Sequence, residues 1–470
     1  MATVDIQDTG VKLRAKRIGI IGAGSAGLAA TRVFAEENAK SNDPPFVITV
    51  LERNSAIGGI WRYTPTATCR YNVPQASASA IPPALDERCA QTHGFPTPIY
   101  DELNTNLPKD VMQFPDMAFA DTASEFPTRS QVLEYLEEYA RTKVLVHPFD
   151  LRLNTDVEDV AFDAARNVWT CQTRDLRTDV AQTLEFDAIL VCTGRVSYPF
   201  IPDVPGLHEL AAQRPSLVVH AKEYRRPHDY AGQCVLVVGG ASSATDISRQ
   251  LSFVAREVHI STADDSLADT AARDPRMNPL IGDACDPQRP LIQHPRIAEF
   301  SSTHVMFADG TEIPVPDSII YATGYICAFP FLRHVERLVH APDPGLPFTA
   351  DGDGVADMYR FLLYAVNPLL AILGVPNKVV PFVLYEYQAT YLAHLYQGHI
   401  TLPPFAQMLS QARDAQELPR PFTMGFKQIA YLNDLIDCVG DRQSRLGHIP
   451  PCWGDRWKQT LKLRKDFLGY

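Results

Sequence analysis

The chain lacks any C-x-x-C pair, although it holds nine cysteines. Cys69, Cys89, Cys171, Cys192, Cys234, Cys285, Cys327, Cys438 and Cys452 are scattered, with no ligand-like spacing to histidine. That argues against a dithiol reductase of the thioredoxin-reductase kind. It predicts reduced structural thiols in a cytoplasmic protein, and no metal. A run of about eighteen apolar residues, the length of a membrane span, is also missing. The nearest approach, Phe361 to Val383, is broken by Asn367, Asn377, Lys378 and several prolines, and reads as buried core. Positive charge is in deficit: 43 Lys and Arg face 55 Asp and Glu, a net charge of −12, so no nucleic-acid partner is expected. The opening MATVDIQDTGVKLRAKR has no apolar signal core and reads as a polar lead into the first strand.

What is present is a pair of glycine-rich loops, each after an apolar strand. The first, RIGIIGAGSAGLAA, sets Gly22, Gly24 and Gly27 in the G-x-G-x-x-G frame, with Ser25 opening the helix. The second, CVLVVGGASSATDIS, has Gly239, Ala241 and Ala244 in that frame, with Ser242 and Ser243 between them as hydroxyl donors. In such a unit the first glycine permits a tight turn. The second lets the backbone approach a pyrophosphate, and the third lets helix and strand pack closely. The helix N-terminus then presents free N–H groups and the positive dipole end to the phosphates. Alanine is the next smallest residue, so the second loop keeps the shape with less room. Two such loops in one chain of 470 residues predict two bound dinucleotides with electron transfer between them.

The rest of the chain fills in around them. Arg17 to Ile21 reads as a strand, Ser25 to about Glu37 as its helix, and Phe46 to Leu51 as a second strand ending in Glu52. A carboxylate there can accept from ribose hydroxyls. GGIWRY follows, with Gly58, Gly59 and Trp61, then a long stretch rich in Pro, Ala and Ser. FPTRSQVLEYLEEYARTK reads as an amphipathic helix capped by Thr128 or Ser130. Two runs, VCTGR and YATGY, place Thr193–Gly194 and Thr323–Gly324 at the ends of apolar strands. That suits a chain crossing between two domains beside a cofactor. The proline-rich YPFIPDVPG reads as a boundary. The expected architecture is α/β, with two Rossmann-like domains and the smaller inserted in the larger. The boundaries are drawn at 1–200, 201–328 and 329–470.

In their order, GAGSAG, GGIW, LNTNLPKDVMQFPD, VVHAKEYRRP, VVGGASSATDI and YATGY resemble the flavin-containing monooxygenases, above all the soluble fungal and yeast type. The likeness covers about residues 17 to 465. Of the family's F-x-G-x-x-x-H-x-x-x-Y/F sequence, His220 and Tyr224 match, while Arg214 and Ser216 stand at the Phe and Gly positions. Related Baeyer–Villiger enzymes usually carry Trp at the position of Tyr224, which favours oxygenation of a heteroatom. The resemblance implies FAD on the first loop and a reduced nicotinamide on the second. Hydride passes to the flavin, and dioxygen adds at C4a. One oxygen atom then goes to nitrogen or sulfur of a small molecule. It places Asn106 beside the flavin edge, where a carboxamide can donate or accept without adding charge; before Leu-Pro it could equally be a turn residue. Trp61 would lie along the flavin or fill the core. Gln388 and Glu386 match a segment near the flavin, or form a helix-surface pair. Lys109 would approach the ribityl or phosphate region, or face solvent. Val157 is added to the cofactor-binding residues.

NADPH is the expected donor, with NADH open. The strand EVHIST is followed by Ala263, Asp264 and Asp265, where acids would repel a 2′-phosphate. Lys222, Arg225, Arg226 or Arg249 would have to supply the cation. Three readings stand: a monooxygenase, a peroxide-releasing oxidase or reductase, and a non-catalytic nucleotide sensor. Substrate-lining residues are expected between Tyr63 and Tyr100 and after Asp264, and a homodimer is open.

Overall fold

The computed structural model describes residues 10–40, 43–65, 71–81, 95–262, 291–335, 354–416, 422–440, 444–450 and 452–459. The chain forms two compact units. One draws on Met1–Arg62, Leu107–Arg195 and Cys327–Trp457, the other on Tyr63–Asn106 and Val196–Ile326. The segment after GGIWR, counted above with the first 200 residues, groups with the second unit.

The first unit is built on a seven-stranded sheet. Its order is Met358–Tyr359, Leu363–Tyr364, Leu370–Ile372, Ala188–Val191, Arg17–Ile21, Val47–Leu51 and Asp150–Arg152. The five strands from Leu370–Ile372 onward run parallel. Central parallel strands are covered on both faces, so they read as unbroken apolar runs, as RIGII and AILV do. The helix Ser25–Lys40 crosses from the first strand to the second. Thr155–Asp163, Val168–Asp175 and Val180–Phe186 form a separate antiparallel sheet. The helix Arg129–Tyr139 starts at Thr128, whose side chain accepts from the Gln131 N–H while Gln131 reaches back, a full capping box.

The second unit carries a five-stranded, wholly parallel sheet. Its order is Val218–His220, Ser318–Tyr321, Cys234–Val238, Glu257–Ser261 and Leu291–His294. The helix Ser242–Ser252 follows the middle strand.

One buried charge cluster fixes the first unit. Helix Pro381–Tyr396 is buried along nearly its whole length, so Glu386 and Gln388 are both fully buried and the surface-pair reading fails. Glu386 Oε1 accepts from Tyr139 at 2.6 Å and from Arg32 at 3.1 Å, and Oε2 accepts from Arg445 at 2.7 Å. Arg32 also donates to Glu36 at 2.7 Å and to both oxygens of Asp116. Arg445 reaches Glu36 at 3.3 Å and Asp116 at 3.1 Å. The arginines hold the Asp116 carboxyl well below its usual range against the opposing effect of burial.

Removing Glu386 leaves the buried Arg32 and the half-buried Arg445 short of a partner, and breaking a buried pair on one side costs about 3–5 kcal/mol. Glu386→Ala should lower the free energy of unfolding by that amount, read from a urea titration followed by circular dichroism. Unchanged stability would show that Asp116 and Glu36 suffice.

Candidate active site

Each unit braces its own glycine loop, and the two do so with the same bonds. In the first unit the Gly22 N–H donates to Leu51 O at 2.7 Å, and Cys192 N–H donates to Ile21 O at 2.8 Å. In the second, Gly239 N–H donates to Ser261 O at 2.9 Å, and Ala322 N–H donates to Val238 O at 2.8 Å. Gly22 and Gly239 both take positive φ, 103° and 137°. A Cβ on either would strike the carbonyl just before the Thr-Gly run, Cys192 O at 2.8 Å and Ala322 O at 2.5 Å. The sequence T-G thus follows a strand that braces the loop in both units.

The units then diverge at the third position. A Cβ on Gly27 would lie 1.8 Å from Gly22 O, an impossible contact. Its counterpart, Ala244, is buried and tolerated. The first loop also lies against GGIW: Gly58 N–H donates to Ala23 O at 3.0 Å. Gly24 and Gly59 meet face to face, with 2.7 Å from a Cβ on Gly59 to Gly24 Cα. A side chain on Gly59 would clash outright, and one on Gly24 would sit tightly at 3.3 Å from Gly59 Cα. Ser25 opens the helix, and the half-buried Trp61 packs at the edge of the aromatic cluster around Phe114 and Tyr139. Around Gly194, with φ 71°, a Cβ would meet nothing within 4 Å, so that face of the backbone is open to a ligand. Gly324, with φ 91°, is open in the same way.

Glu52 is buried and already engaged. Its Oε2 accepts from the Ala23 N–H at 2.7 Å, and Oε1 from Asn54 at 2.8 and 2.9 Å. The carboxylate therefore shapes the phosphate loop as well as offering the remaining lone pairs to a ribose. Val157 is a buried core residue opposite Thr173, beside a bulge in the antiparallel sheet. Gln388 spends its carboxamide inside the protein, accepting from Gly374 N–H and donating to Tyr431, each at 3.0 Å. Lys109 is half-buried, and its Nζ donates to the carbonyls of Ala123 and Asp121 at 2.8 and 3.2 Å. Asn106 is exposed at the last residue of its segment in the second unit, and the chain enters the first unit at Leu107.

The second half-site assigns His220. It is fully buried, with Nε2 donating to Gly324 O at 2.9 Å and Nδ1 accepting from the Lys222 N–H at 3.1 Å. It is a neutral pin that holds the Thr-Gly turn. Tyr224 is equally buried, donating to Gln250 at 3.0 Å with its ring edge-on to Tyr100. Thr323 donates to Phe200 O, and Ala241, Ser242 and Ser243 are exposed at the helix start. The candidates for the 2′-phosphate are committed elsewhere. Arg225 donates to the carbonyls of Lys222, Tyr224 and Thr97. Arg226 pairs with Asp229, Arg249 with Asp246, and Lys222 donates to Ser197 O. Ala263, Asp264 and Asp265 lie outside the described residues.

Two Rossmann units in one chain, each with an open glycine beside its phosphate loop, define a two-dinucleotide oxidoreductase. The Flavin-binding monooxygenase-like family model matches residues 90–271 and 290–450, so the chain belongs to that family. Flavin-containing monooxygenase FMO GS-OX5 of Arabidopsis thaliana is 27% identical over 95% of this chain and 88% of its own length. The solved S-allyl-L-cysteine S-oxygenase from Allium sativum is 27% identical, with a TM-score of 0.76 over 97% of this chain and 94% of that one. Tmm from Pelagibacter, at 20% identity and TM-score 0.70, shares the fold over 94% of this chain and 90% of its own. The protein is an FAD- and NADPH-dependent monooxygenase that transfers one oxygen atom to a soft nucleophile.

Gly27→Ala should be isolated without flavin, read as the ratio of flavin to protein absorbance, while Ala244→Gly should keep it. Equal flavin content in both would refute the packing argument. His220 is pushed down to about 3 by burial, from about 6.5 in the unfolded chain. Its contribution to stability is complete above pH 6.5 and is lost as pH falls toward 3. His220→Gln should therefore show a shallower loss of urea stability between pH 7 and pH 4 than the parent. A parallel loss would place the proton uptake elsewhere.

Proposed function

We propose that the enzyme oxygenates the sulfur of a small thioether, with FAD on the first loop and NADPH on the second. The observation that carries this is the likeness to the Allium sativum S-oxygenase across nearly the full length of both chains. When bound, FAD accepts hydride from NADPH and activates dioxygen. The chain's own part is to cradle and orient. The helix beginning at Ser25 and the bare backbones of Gly24 and Gly59 take the pyrophosphate, and Glu52 faces the ribose. In the second unit the exposed Ser242 and Ser243 take phosphate oxygens, and His220 keeps Gly324 in place beside the nicotinamide half. Asn106 donates from its carboxamide toward the reacting oxygen. The sum is NADPH, a proton, dioxygen and a thioether going to NADP, water and a sulfoxide.

The cytoplasm and a homodimer belong to the same reading. Among the described residues no helix is long and apolar enough to cross a membrane.

Purified enzyme given NADPH, dioxygen and an S-alkyl cysteine should form close to one sulfoxide per NADPH consumed. A tertiary amine or a cyclic ketone should give mainly hydrogen peroxide. Peroxide as the sole product from every thioether would overturn the proposal. Asn106→Ser should raise the peroxide share with flavin content intact, and an unchanged share would remove Asn106 from the chemistry.

A further inference from the structure

The neighbouring strands Cys234–Val238 and Glu257–Ser261 pair in parallel, with Cys234 opposite Glu257 and Leu236 opposite His259. Side chains two residues apart on a strand share a face, so Cys234, Glu257 and His259 project together. Their ligand atoms all lie within 4.8 Å of one another. The sequence gives no hint of this. Cys234 stands more than twenty residues from the other two, and only the parallel register joins them.

The arrangement around His259 points to a ligand. Its Nδ1 lies 2.8 Å from His294 Nε2, and the His294 ring stacks on Phe307 at 4.0 Å. That contact fixes the orientation of the His259 ring. With Nδ1 turned to His294, Nε2 lies on the side of the Glu257 carboxylate. The separation there is 3.5 Å, long for a hydrogen bond. It falls within the spacing between two ligands of one tetrahedral zinc, about 3.3–3.8 Å for bonds of about 2.0–2.3 Å. A metal-bound histidine normally donates its other ring N–H to a fixed acceptor, the part His294 plays here. Burial opposes ionisation of the Cys234 thiol, while the Arg256 guanidinium beside it favours the thiolate form. Arg256 is paired with Asp317 at 3.2 Å, and Asp317 also accepts from the Cys234 N–H. Glu257 is exposed and leaves an entry path.

We propose that Cys234, Glu257 and His259, supported by His294, bind a divalent cation of the zinc class, with water as the fourth ligand. Thiolate, imidazole and carboxylate together select a borderline metal over magnesium or calcium. The site lies at the N-terminal ends of the strands whose opposite ends carry the second phosphate loop, about 13 Å along the strand from Val238. It is separate from the oxygenation chemistry and clamps two strands of the second unit.

The FAD-loaded full-length enzyme, incubated with zinc sulfate and dialysed against metal-free buffer, should retain a single zinc per chain by mass spectrometry. Its melting temperature should rise with added zinc. Cys234→Ser, His259→Gln and the exposed Glu257→Gln should each lose the zinc while keeping flavin and the NADPH oxidation rate. His294→Gln should weaken binding about 10–100-fold. In the cobalt-loaded enzyme, a thiolate-to-metal charge-transfer band should be present in the parent and absent from Cys234→Ser. Failure of the parent to retain zinc, or equal retention by Glu257→Gln and the parent, would overturn the proposal.

Discussion

A single buried carboxylate, Glu386, organises the first unit. Two arginines from distant parts of the chain close on its oxygens, Arg32 from the first phosphate-loop helix and Arg445 from near the C-terminal end. Tyr139 brings in a third element. An ionised group out of water is tolerated only when every lone pair is met, so the partners must arrive together. The helix starting at Ser25 is thereby held in place by residues more than 350 positions later. Its N-terminus, the part proposed to take a pyrophosphate, inherits that rigidity. The return of the chain after residue 326 to the first unit is thus a requirement for holding that helix.

The two phosphate loops show how one backbone solution admits two sequences. Both begin with a glycine whose missing Cβ makes room for a carbonyl, Cys192 O in one and Ala322 O in the other. They part at the third position, because Gly27 sits against Gly22 O while Ala244 has room for its methyl. The alanines of the second loop are therefore no sign of a decayed site. Likewise the half-matched identifying sequence around His220 retains the two residues with internal work to do. His220 pins Gly324, and Tyr224 seals the core beside Tyr100. The positions that depart, Arg214 and Ser216, lie at and just beyond the end of the helix Leu207–Gln213.

Features governed by local geometry were legible in the chain. Both glycine loops, the strand ending in Glu52, the Thr128 cap and the Thr-Gly runs all follow from steric rules spanning a few residues. Roles decided by distant partners were not. Gln388 looked like a flavin contact or a surface residue, and its partners Gly374 and Tyr431 could not be read from EYQATYL. Lys109 and Arg225 looked like cations for phosphate, yet both end on backbone carbonyls. Long basic side chains reach many acceptors, so their charge says little about their destination. The grouping of Cys234 with Glu257 and His259 depends on strand register, which no spacing rule encodes.

Four of the five passages between the units fall at Arg62–Tyr63, Asn106–Leu107, Arg195–Val196 and Ile326–Cys327, and the fifth follows Trp457. Each of the four lies within three residues of Trp61, Asn106, Gly194 or Gly324. Those junctions therefore fall in the segments that hold Trp61, Asn106 and the two Thr-Gly runs. Neither unit can be excised as one continuous piece of chain. The first unit therefore lacks its own closing segments until the chain has passed through Val196–Ile326 of the second.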